Sequence, residues 1–277
     1  MSAIPVMARP QAFLAAGTAS LLGSNLGLAS LSDRRPWLAA LTVVLIVACC
    51  NVVNDLVDVE TDRFNRPQRA LPAGRVGFRT TVAASLLLAA GGLAAAMALG
   101  LSEVAVAVGC LLAGASYSLF LRRLPLLGHI WVALLFGGTV IWGGWATSRI
   151  SSSVWMAAVL VALFLLPREL LKSLGDDRGD RVSGWRTAAV VWGRRTTLVA
   201  ITSTSLVFAV ATLTPMLIGT GSGIYLGGIW LGTTLPLLGV VAALWRRPNL
   251  ELRRAEYLTG LMWLPGLAAL WQLAPAG

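Results

Sequence analysis

The chain has 277 residues, 57% of them hydrophobic and only 12% charged, with a formal net charge of +10. Soluble domains carry roughly 25% charged residues, so the composition excludes an ordinary soluble domain and points to the membrane. The positive charge is no nucleic-acid footprint, because the basic residues are scattered over short loops and no soluble surface exists to gather them.

Nine apolar stretches of about 20 residues, the length that crosses a bilayer, are predicted along the chain: 11–32, 36–56, 80–99, 101–120, 126–147, 153–171, 196–217, 223–245 and 255–273. The first is too long for a removable signal peptide and is interrupted by Gly23 and Gly27. The third and fourth are separated only by Gly100-Leu101-Ser102-Glu103 and form a tight helical hairpin. The expected fold is therefore all-α, a polytopic membrane protein of nine transmembrane helices forming a single domain over 1–277. With the N-terminus placed in the cytoplasm, nineteen of the 22 Lys and Arg residues fall on the cytoplasmic side. Only Arg34, Arg35 and Arg149 fall opposite. This is the positive-inside pattern, and it fixes an odd number of spans. Cys49, Cys50 and Cys110 fall inside spans and read as small hydrophobes without a disulfide. His129, the only histidine, stands at the start of a span and reads as an interfacial polar residue rather than a catalytic base.

Two acidic clusters interrupt this apolar chain where long runs end. The first is Asn54-Asp55-Leu56-Val57-Asp58-Val59-Glu60-Thr61-Asp62, the second Asp176-Asp177-Arg178-Gly179-Asp180. With Glu169 they hold eight of the twelve acidic residues, and the topology puts both on one face of the membrane. A carboxylate at the centre of a bilayer helix costs roughly 2.5–3.5 kcal/mol, so such a concentration implies a use. Asn54, Asp58 and Asp62 recur every four residues and form one stripe on a helix, as do Asp176 and Asp180; Asp55 is turned away. Like charges at that spacing repel, and a bound cation removes the penalty. Mg²⁺ characteristically joins one or two carboxylates to substrate phosphates. Arginines follow each cluster: Arg63, Arg66, Arg69 and Arg75 after the first, Arg181 and Arg186 after the second. The guanidinium fork suits phosphate. Carboxylates for metal beside arginines make a complete diphosphate site.

Asn54-x-x-x-Asp58-x-x-x-Asp62, followed by Asn65-Arg66-Pro67-x-Arg69 and Pro72-x-Gly74-Arg75, resembles the first signature of the UbiA-type intramembrane prenyltransferases. Lys172-x-x-x-Asp176-x-x-x-Asp180-Arg181-x-x-Gly184-x-Arg186-Thr187 resembles their second. Tyr117-Ser118, Arg122-Arg123-Leu124-Pro125 and Gly128 resemble the segment after their fourth span, and Arg9-Pro10 is also family-like. The likeness runs from Arg9 to the last span. It implies a helical bundle with a central cavity opening sideways to lipid. It also implies two Mg²⁺ ions held by Asn54, Asp58, Asp62, Asp176 and Asp180, with the four aspartates as the catalytic set. Arg66, Arg69 and Arg122 or Arg123 would grip the diphosphate, with Tyr117 and Lys172 in the substrate site. The chain departs from the pattern at Ala12, where the family often has Asn, at Ser173, where many have Asp, and at His129, where some have Asn. These departures bear on the acceptor rather than the reaction type.

The implied reaction is Mg²⁺-dependent transfer of a prenyl group from a prenyl diphosphate to an aromatic or lipid acceptor, with release of diphosphate. Metal ions and fixed positive donors stabilise the departing charge, a lipid-embedded cavity keeps the allyl cation from water, and aromatic faces can stabilise it. Of the eleven Trp, those such as Trp142, Trp145, Trp155 and Trp192 read first as interface residues. Gly137, Gly138, Gly143 and Gly144 read as sites of close helix approach or as room for the tail, close approach being preferred. A terpene cyclase on the same scaffold would use the same metals and grip but let the cation react internally. A cation transporter would use the acids as an ion path, yet transport sites usually lie at mid-membrane on broken helices. A phosphatidyl-type transferase would need a glycine and alanine-arginine spacing that is missing here. The acceptor is left unidentified; the motif stretches look closest to members that use glycerol-phosphate lipid, homogentisate or tetrapyrrole acceptors. The expected location is a bacterial or archaeal plasma membrane, with the N-terminus and the acidic loops cytoplasmic.

Overall fold

In lipid, a backbone finds no water for its amides and carbonyls and must satisfy them internally. Runs of Leu, Ala, Val and Gly do so here as helices. The computed structural model describes Met7 and residues 9–246 and 251–273; Arg247, one of the basic residues of the last loop, lies outside them. The helices are α1 (Pro10–Leu26), α2 (Arg34–Val57), α3 (Val59–Asn65), α4 (Phe78–Met97), α5 (Leu101–Leu119), α6 (Leu127–Ala146), α7 (Ser152–Val182), α8 (Ala188–Ala211), α9 (Thr214–Leu217), α10 (Gly223–Ile229), α11 (Leu235–Arg246), α12 (Leu252–Leu261) and α13 (Trp263–Leu270). A 3₁₀ turn, Leu121–Arg123, precedes α6, and a π turn, Trp230–Thr234, joins α10 to α11. No strand occurs among the described residues.

Among the described residues seven helical rods are long and apolar enough to cross a membrane: Arg34–Val57, Phe78–Met97, Leu101–Arg123, Leu127–Ala146, Ser152–Val182, Ala188–Leu217 and Gly223–Arg246. The chain is an integral membrane protein. The expected first and ninth spans are not among the seven, for two different reasons. α1 has 17 residues, about 25 Å at 1.5 Å per residue, at the short limit for a span, although it runs from Arg9 beside Asp55 at the acidic end to Gly27 beside Arg149 at the other. The last apolar run is interrupted at Met262 between α12 and α13. Pro265 has no N–H to donate to the preceding turn and breaks the ladder there. The sixth expected span, in contrast, runs well past its predicted end at 171. α7 has 31 residues with Pro167 inside it, so the second acidic cluster rides on a continuous helix.

Helices α1 and α6 touch backbone to backbone. A Cβ on Gly23 would run into the Val140 carbonyl, and one on Gly143 into the Ser20 carbonyl. Ser24 Oγ donates to the Gly143 carbonyl at 3.0 Å across the same seam. Gly137 and Gly144 likewise leave no room for a side chain, whereas nothing stands near Gly138. Beside this seam, Leu22, Leu26, Val140, Val154, Leu160 and Phe208 are fully buried, and Phe164 meets Phe208 at 5.6 Å between ring centroids. Leu86, Leu87, Leu112, Val210 and Leu231 are exposed and form the lipid-facing surface. At the bundle end away from the acidic clusters, Arg35 donates to Glu103 (3.2 Å) and to the carbonyls of Ala146 and Leu99. One side chain thereby closes two helix C-termini and pairs a buried carboxylate.

Substituting Gly143→Ala is expected to destabilise the protein by about 1–3 kcal/mol, the usual cost of overpacking. Gly109→Ala, with nothing within 4 Å, is the control. Thermal unfolding in detergent should show a lower midpoint for the first and no loss for the second.

Candidate active site

The first acidic cluster lies where α2 passes into α3. The hydrogen bonds Asp58 N to Asn54 O (2.9 Å) and Asp62 N to Asp58 O (2.7 Å) carry the helical repeat through the junction, so the predicted stripe persists although the chain bends at Asp58 (φ −89°, ψ 1°). All three side chains are buried, Asp58 completely. Arg9, just ahead of α1, reaches across to Asn54 Oδ1 (3.0 Å) and Asp55 Oδ1 (2.8 Å). Arg69 pairs with both Asp55 and Asp62, and Arg122 with Asp58. Asp55, which the helical wheel turned away from the stripe, is thus buried between two arginines.

The second cluster occupies the last two turns of α7. Asp176 and Asp180 are buried, while Asp177 is half exposed and pairs with Arg181. The chain then reverses at Gly184, whose φ of +70° lies in the left-handed region that glycine adopts without strain. The reversal returns Thr187, whose hydroxyl donates to Asp180 Oδ2 at 3.0 Å. It also lays Trp185 beneath the basic turn, its ring 4.8 Å from the Arg122 guanidinium and 5.4 Å from that of Arg123, within cation–π range. Arg122 is aimed from the other side by a tight passage into α6, where Leu126 takes a φ of +62° and a Cβ on Gly128 would press on the Leu121 carbonyl.

The two clusters are tied together directly. Asn65, at the end of α3, donates from Nδ2 to the Asp176 carbonyl (2.9 Å) and accepts at Oδ1 from the Gly179 N–H (2.8 Å). Gly179 permits this, since a Cβ there would fall on the Asn65 amide. The Thr61 and Ser183 hydroxyls meet at 2.8 Å. Arg66 bonds Asp176 and also Glu256 (3.1 Å) of α12, and Arg253 of α12 bonds Asp176 Oδ1 (2.9 Å) and the Asn65 carbonyl (3.1 Å).

These groups face one cavity of about 800 Å³. Its polar end is lined by Arg9, Asn54, Arg66, Arg69, Tyr117, Arg122, Lys172, Asp176 and Asp180. Its other end is apolar, with Ala19, Val43, Leu135, Trp142, Trp145 and Leu160. Val106 and Leu134, both partly exposed, lie in its wall between α5 and α6. Asp58 and Asp62 stand behind the lining and hold Arg122 and Arg69, which belong to it. Arg123 is outside the lining, on the Trp185 ring. His129 is buried and faces the cavity with its Nε2 unpartnered among the described residues, which corrects its reading as an interfacial residue. All three positions that depart from the family-like pattern, Ala12, His129 and Ser173, line the cavity. Ser173 Oγ accepts the Ala189 N–H at 3.2 Å. Trp142 and Trp145 also line it, whereas Trp155 is exposed. Gly138 opens onto the cavity, unlike Gly143 and Gly144 in the seam and Gly137, which packs against Ala158 of α7.

The electrostatics outside the spans follow from burial and pairing. Burial raises Asp62 above the ordinary carboxylate value, against the opposing pull of Arg69. Burial would lower Arg66, but Asp176 and Glu256 outweigh it, and the guanidinium is held more firmly protonated than usual. Arg69 is lowered, by burial and then by its neighbour Arg9. Among the described residues no three His, Cys, Asp or Glu side chains converge into a closed metal cage. Two buried carboxylate oxygens of the clusters, Asp58 Oδ1 and Asp180 Oδ1, nevertheless have neither a hydrogen-bond nor an ion-pair partner among the described residues. Asn54 Oδ1, which accepts from Arg9, is a further hard oxygen. Such a set fits Mg²⁺, which takes few protein ligands and completes its shell with water and phosphate.

A model of the UbiA prenyltransferase family matches residues 12–265. The chain belongs to that family. It is 33% identical to the digeranylgeranylglyceryl phosphate synthase of Thermococcus gammatolerans over 218 residues, 78% of this chain and 79% of the relative. It is 35% identical to the synthase of the same name from Halobacterium salinarum over 233 residues, 83% of each. The solved structure of a UbiA homologue from Aeropyrum pernix K1 superposes with a TM-score of 0.81 at 20% identity, covering 94% of this chain and 97% of that one. A UbiA homologue from Archaeoglobus fulgidus, bound to DMAPP and Mg²⁺, superposes with a TM-score of 0.68 at 18% identity, covering 98% and 99%. The structural likenesses establish the fold. Membership makes this UbiA-family chain a prenyltransferase, and the transporter, cyclase and phosphatidyl-transferase readings give way to it.

Sequence reasoning did not find Arg253 and Glu256, which close the site from α12. The signal was the charge-dense Glu251-Leu252-Arg253-Arg254-Ala255-Glu256 stretch, whose arginines counted only toward the cytoplasmic bias and whose Glu256 fell inside the expected ninth span. Replacing Asn65 by Ala should remove the two bonds by which its side chain ties α3 to α7, at a cost of about 1–3 kcal/mol. Turnover in this prenyltransferase should fall more than 10-fold while helical content by circular dichroism stays constant.

Proposed function

We propose that this UbiA-family prenyltransferase moves a prenyl group from a prenyl diphosphate to the hydroxyl of a glycerophosphate lipid and releases diphosphate. Relatives 30–35% identical over most of the chain are named digeranylgeranylglyceryl phosphate synthases, which implies addition of a second geranylgeranyl chain to geranylgeranylglyceryl phosphate. The observation that carries the reading is the single cavity in which Asp176, Asp180, Asn54 and four arginines share one end and apolar side chains fill the other. That division matches a substrate with a multiply charged head and a hydrocarbon tail.

Asn54, Asp58, Asp62, Asp176 and Asp180 are the proposed Mg²⁺ ligands, supported most directly by the unpartnered carboxylate oxygens of Asp58 and Asp180. Mg²⁺ supplies Lewis-acid neutralisation of the leaving group's charge. Arg66, Arg69 and Arg122 hold carboxylates that a phosphate can replace, so the guanidiniums can turn from Asp176, Asp62 and Asp58 to the diphosphate. There they stabilise the negative charge that builds as the C1–O bond breaks. Lys172, paired with Glu169 at 2.9 Å, adds a positive charge one turn deeper on α7. Trp185 supports Arg122 from behind. Trp142 lies 13 residues along α6 from His129, about 20 Å at the helical rise, so it and Trp145 meet the tail rather than the allyl cation. Each buried methylene of the tail contributes about 0.8 kcal/mol, and the apolar walls exclude the water that would trap the cation.

For orientation we place the N-terminus and both acidic clusters at the cytoplasmic side of an archaeal or bacterial membrane. The bias of nineteen to three among the basic residues supports this.

Purified protein given geranylgeranyl diphosphate, Mg²⁺ and a panel of acceptors should yield a doubly prenylated glycerophosphate by mass spectrometry, and chelation of Mg²⁺ should abolish it reversibly. Asp58→Ala and Asp180→Ala should each abolish turnover in protein that still folds and inserts, and Arg122→Gln should cost about 10²–10³ in rate. Full activity in either aspartate variant would remove the metal assignment.

A further inference from the structure

Six cationic side chains line the cavity: Arg9, Arg66, Arg69, Arg122, Arg168 and Lys172. Five of them have a carboxylate partner. Arg168 has neither an ion pair nor a hydrogen bond among the described residues, and its Nε is buried. The carboxylates that act on it, Glu169 and Glu256, are already held by Lys172 and by Arg66 and Arg253. An ionised side chain inside a membrane bundle is costly unless something pairs with it, and in such places it marks a binding path more often than a scaffold.

Its position narrows what that something is. Arg168, Lys172, Asp176 and Asp180 recur every four residues along α7, so Arg168 lies on the cavity face two turns, about 12 Å, below Asp176. The diphosphate belongs with the arginines and carboxylates above it. Arg168 therefore addresses a different anion, one brought by the second substrate. The guanidinium lies against Gly260 of α12, where a Cβ would stand 3.4 Å from Nη2 and 3.8 Å from Gln11 Oε1. A side chain on α12 at that point would narrow the pocket beside the guanidinium. His129, with an unpartnered Nε2, lines the same cavity.

Resting on the acceptor class proposed above, we propose that Arg168, with Gln11 beside it and Gly260 leaving room, is the subsite for the phosphate of the acceptor. It selects a phosphorylated glycerolipid over its neutral counterpart. The planar fork of arginine suits a phosphate in a bidentate grip, and Lys172 one turn above lies between this subsite and the reacting carbon.

The test uses the full chain in lipid nanodiscs and two readouts. Binding is followed by intrinsic tryptophan fluorescence, since Trp263 lines the cavity, for geranylgeranylglyceryl phosphate and for geranylgeranylglycerol. Arg168→Gln is expected to weaken the phosphorylated lipid roughly 10- to 100-fold, the loss of a charge-assisted bond, and to leave the neutral lipid unchanged. Arg168→Lys should recover part of the preference. In the transfer assay, Arg168→Gln should raise KM for the phosphorylated acceptor while KM for the prenyl diphosphate stays as in the wild type, which also shows that the variant is folded. Unchanged selectivity between the two lipids would overturn the proposal. So would parallel loss of prenyl diphosphate and acceptor affinity, which marks a structural or diphosphate role. Dependence on Arg168 of 4-hydroxybenzoate binding alone would overturn the choice of phosphate. If the wild type prenylates nothing in the panel, the proposed function fails, while the binding comparison still decides the role of Arg168.

Discussion

A carboxylate carried out of water in this bundle is met by a cation, and that pairing organises the polar half of the molecule. Asp55 meets Arg9 and Arg69, Asp58 meets Arg122, Asp62 meets Arg69, Asp176 meets Arg66 and Arg253, and Glu169 meets Lys172. Removing one partner of such a pair would leave an uncompensated buried charge, so each pair constrains two helices at once. Arg66 and Arg253 bring α3 and α12 to α7, Arg9 brings the start of α1 to α2, and Arg122 brings the turn after α5 to the α2–α3 bend. Asp180 is the exception. Among the described residues it accepts only from Thr187, and its second oxygen has no partner.

The same pairs explain how a site for a highly charged substrate persists inside an apolar protein. Guanidiniums and carboxylates neutralise one another in the structure. In the proposed mechanism phosphate and metal would take their places, and the substrate's head would exchange existing ion pairs for new ones. The helices that carry these groups are braced at the far end by glycine contacts between α1 and α6 and by Arg35 on two helix termini. The two acidic clusters are tied directly to one another at the polar end through Asn65, Thr61 and Arg66.

Much of this was legible in the residues because it is local. The four-residue repeat of Asn54, Asp58 and Asp62, and that of Asp176 and Asp180, follow from helix geometry, and both survive in the structure. The all-α membrane architecture follows from composition and run length. What escaped depends on contacts between distant segments. Nothing near Glu256 in the chain says that it shares Arg66 with Asp176 across 190 positions of separation. Nothing in the charge pattern distinguishes Arg168, which has no hydrogen-bond or ion-pair partner among the described residues, from Arg66, which pairs with two carboxylates. His129 looked interfacial because it follows two arginines, yet the tight turn at Leu126 carries it inward. Seven of the nine expected spans are long and apolar enough among the described residues; at the two ends, a short helix and a proline break are decided by a few residues rather than by average hydropathy.

The central claim is that Asp58 and Asp180, from opposite halves of the chain, serve one metal-diphosphate head. It is tested most directly by locating Mn²⁺, substituted for Mg²⁺, through its anomalous scattering in crystals of the protein with a non-reactive prenyl thiodiphosphate. The account predicts manganese in the polar end of the cavity, within coordinating reach of Asp58 and Asp180 carboxylate oxygens and of the diphosphate, with Arg122 swung onto phosphate. Manganese outside this cavity, or a diphosphate bound with Arg122 still on Asp58 and neither aspartate near metal, would contradict it.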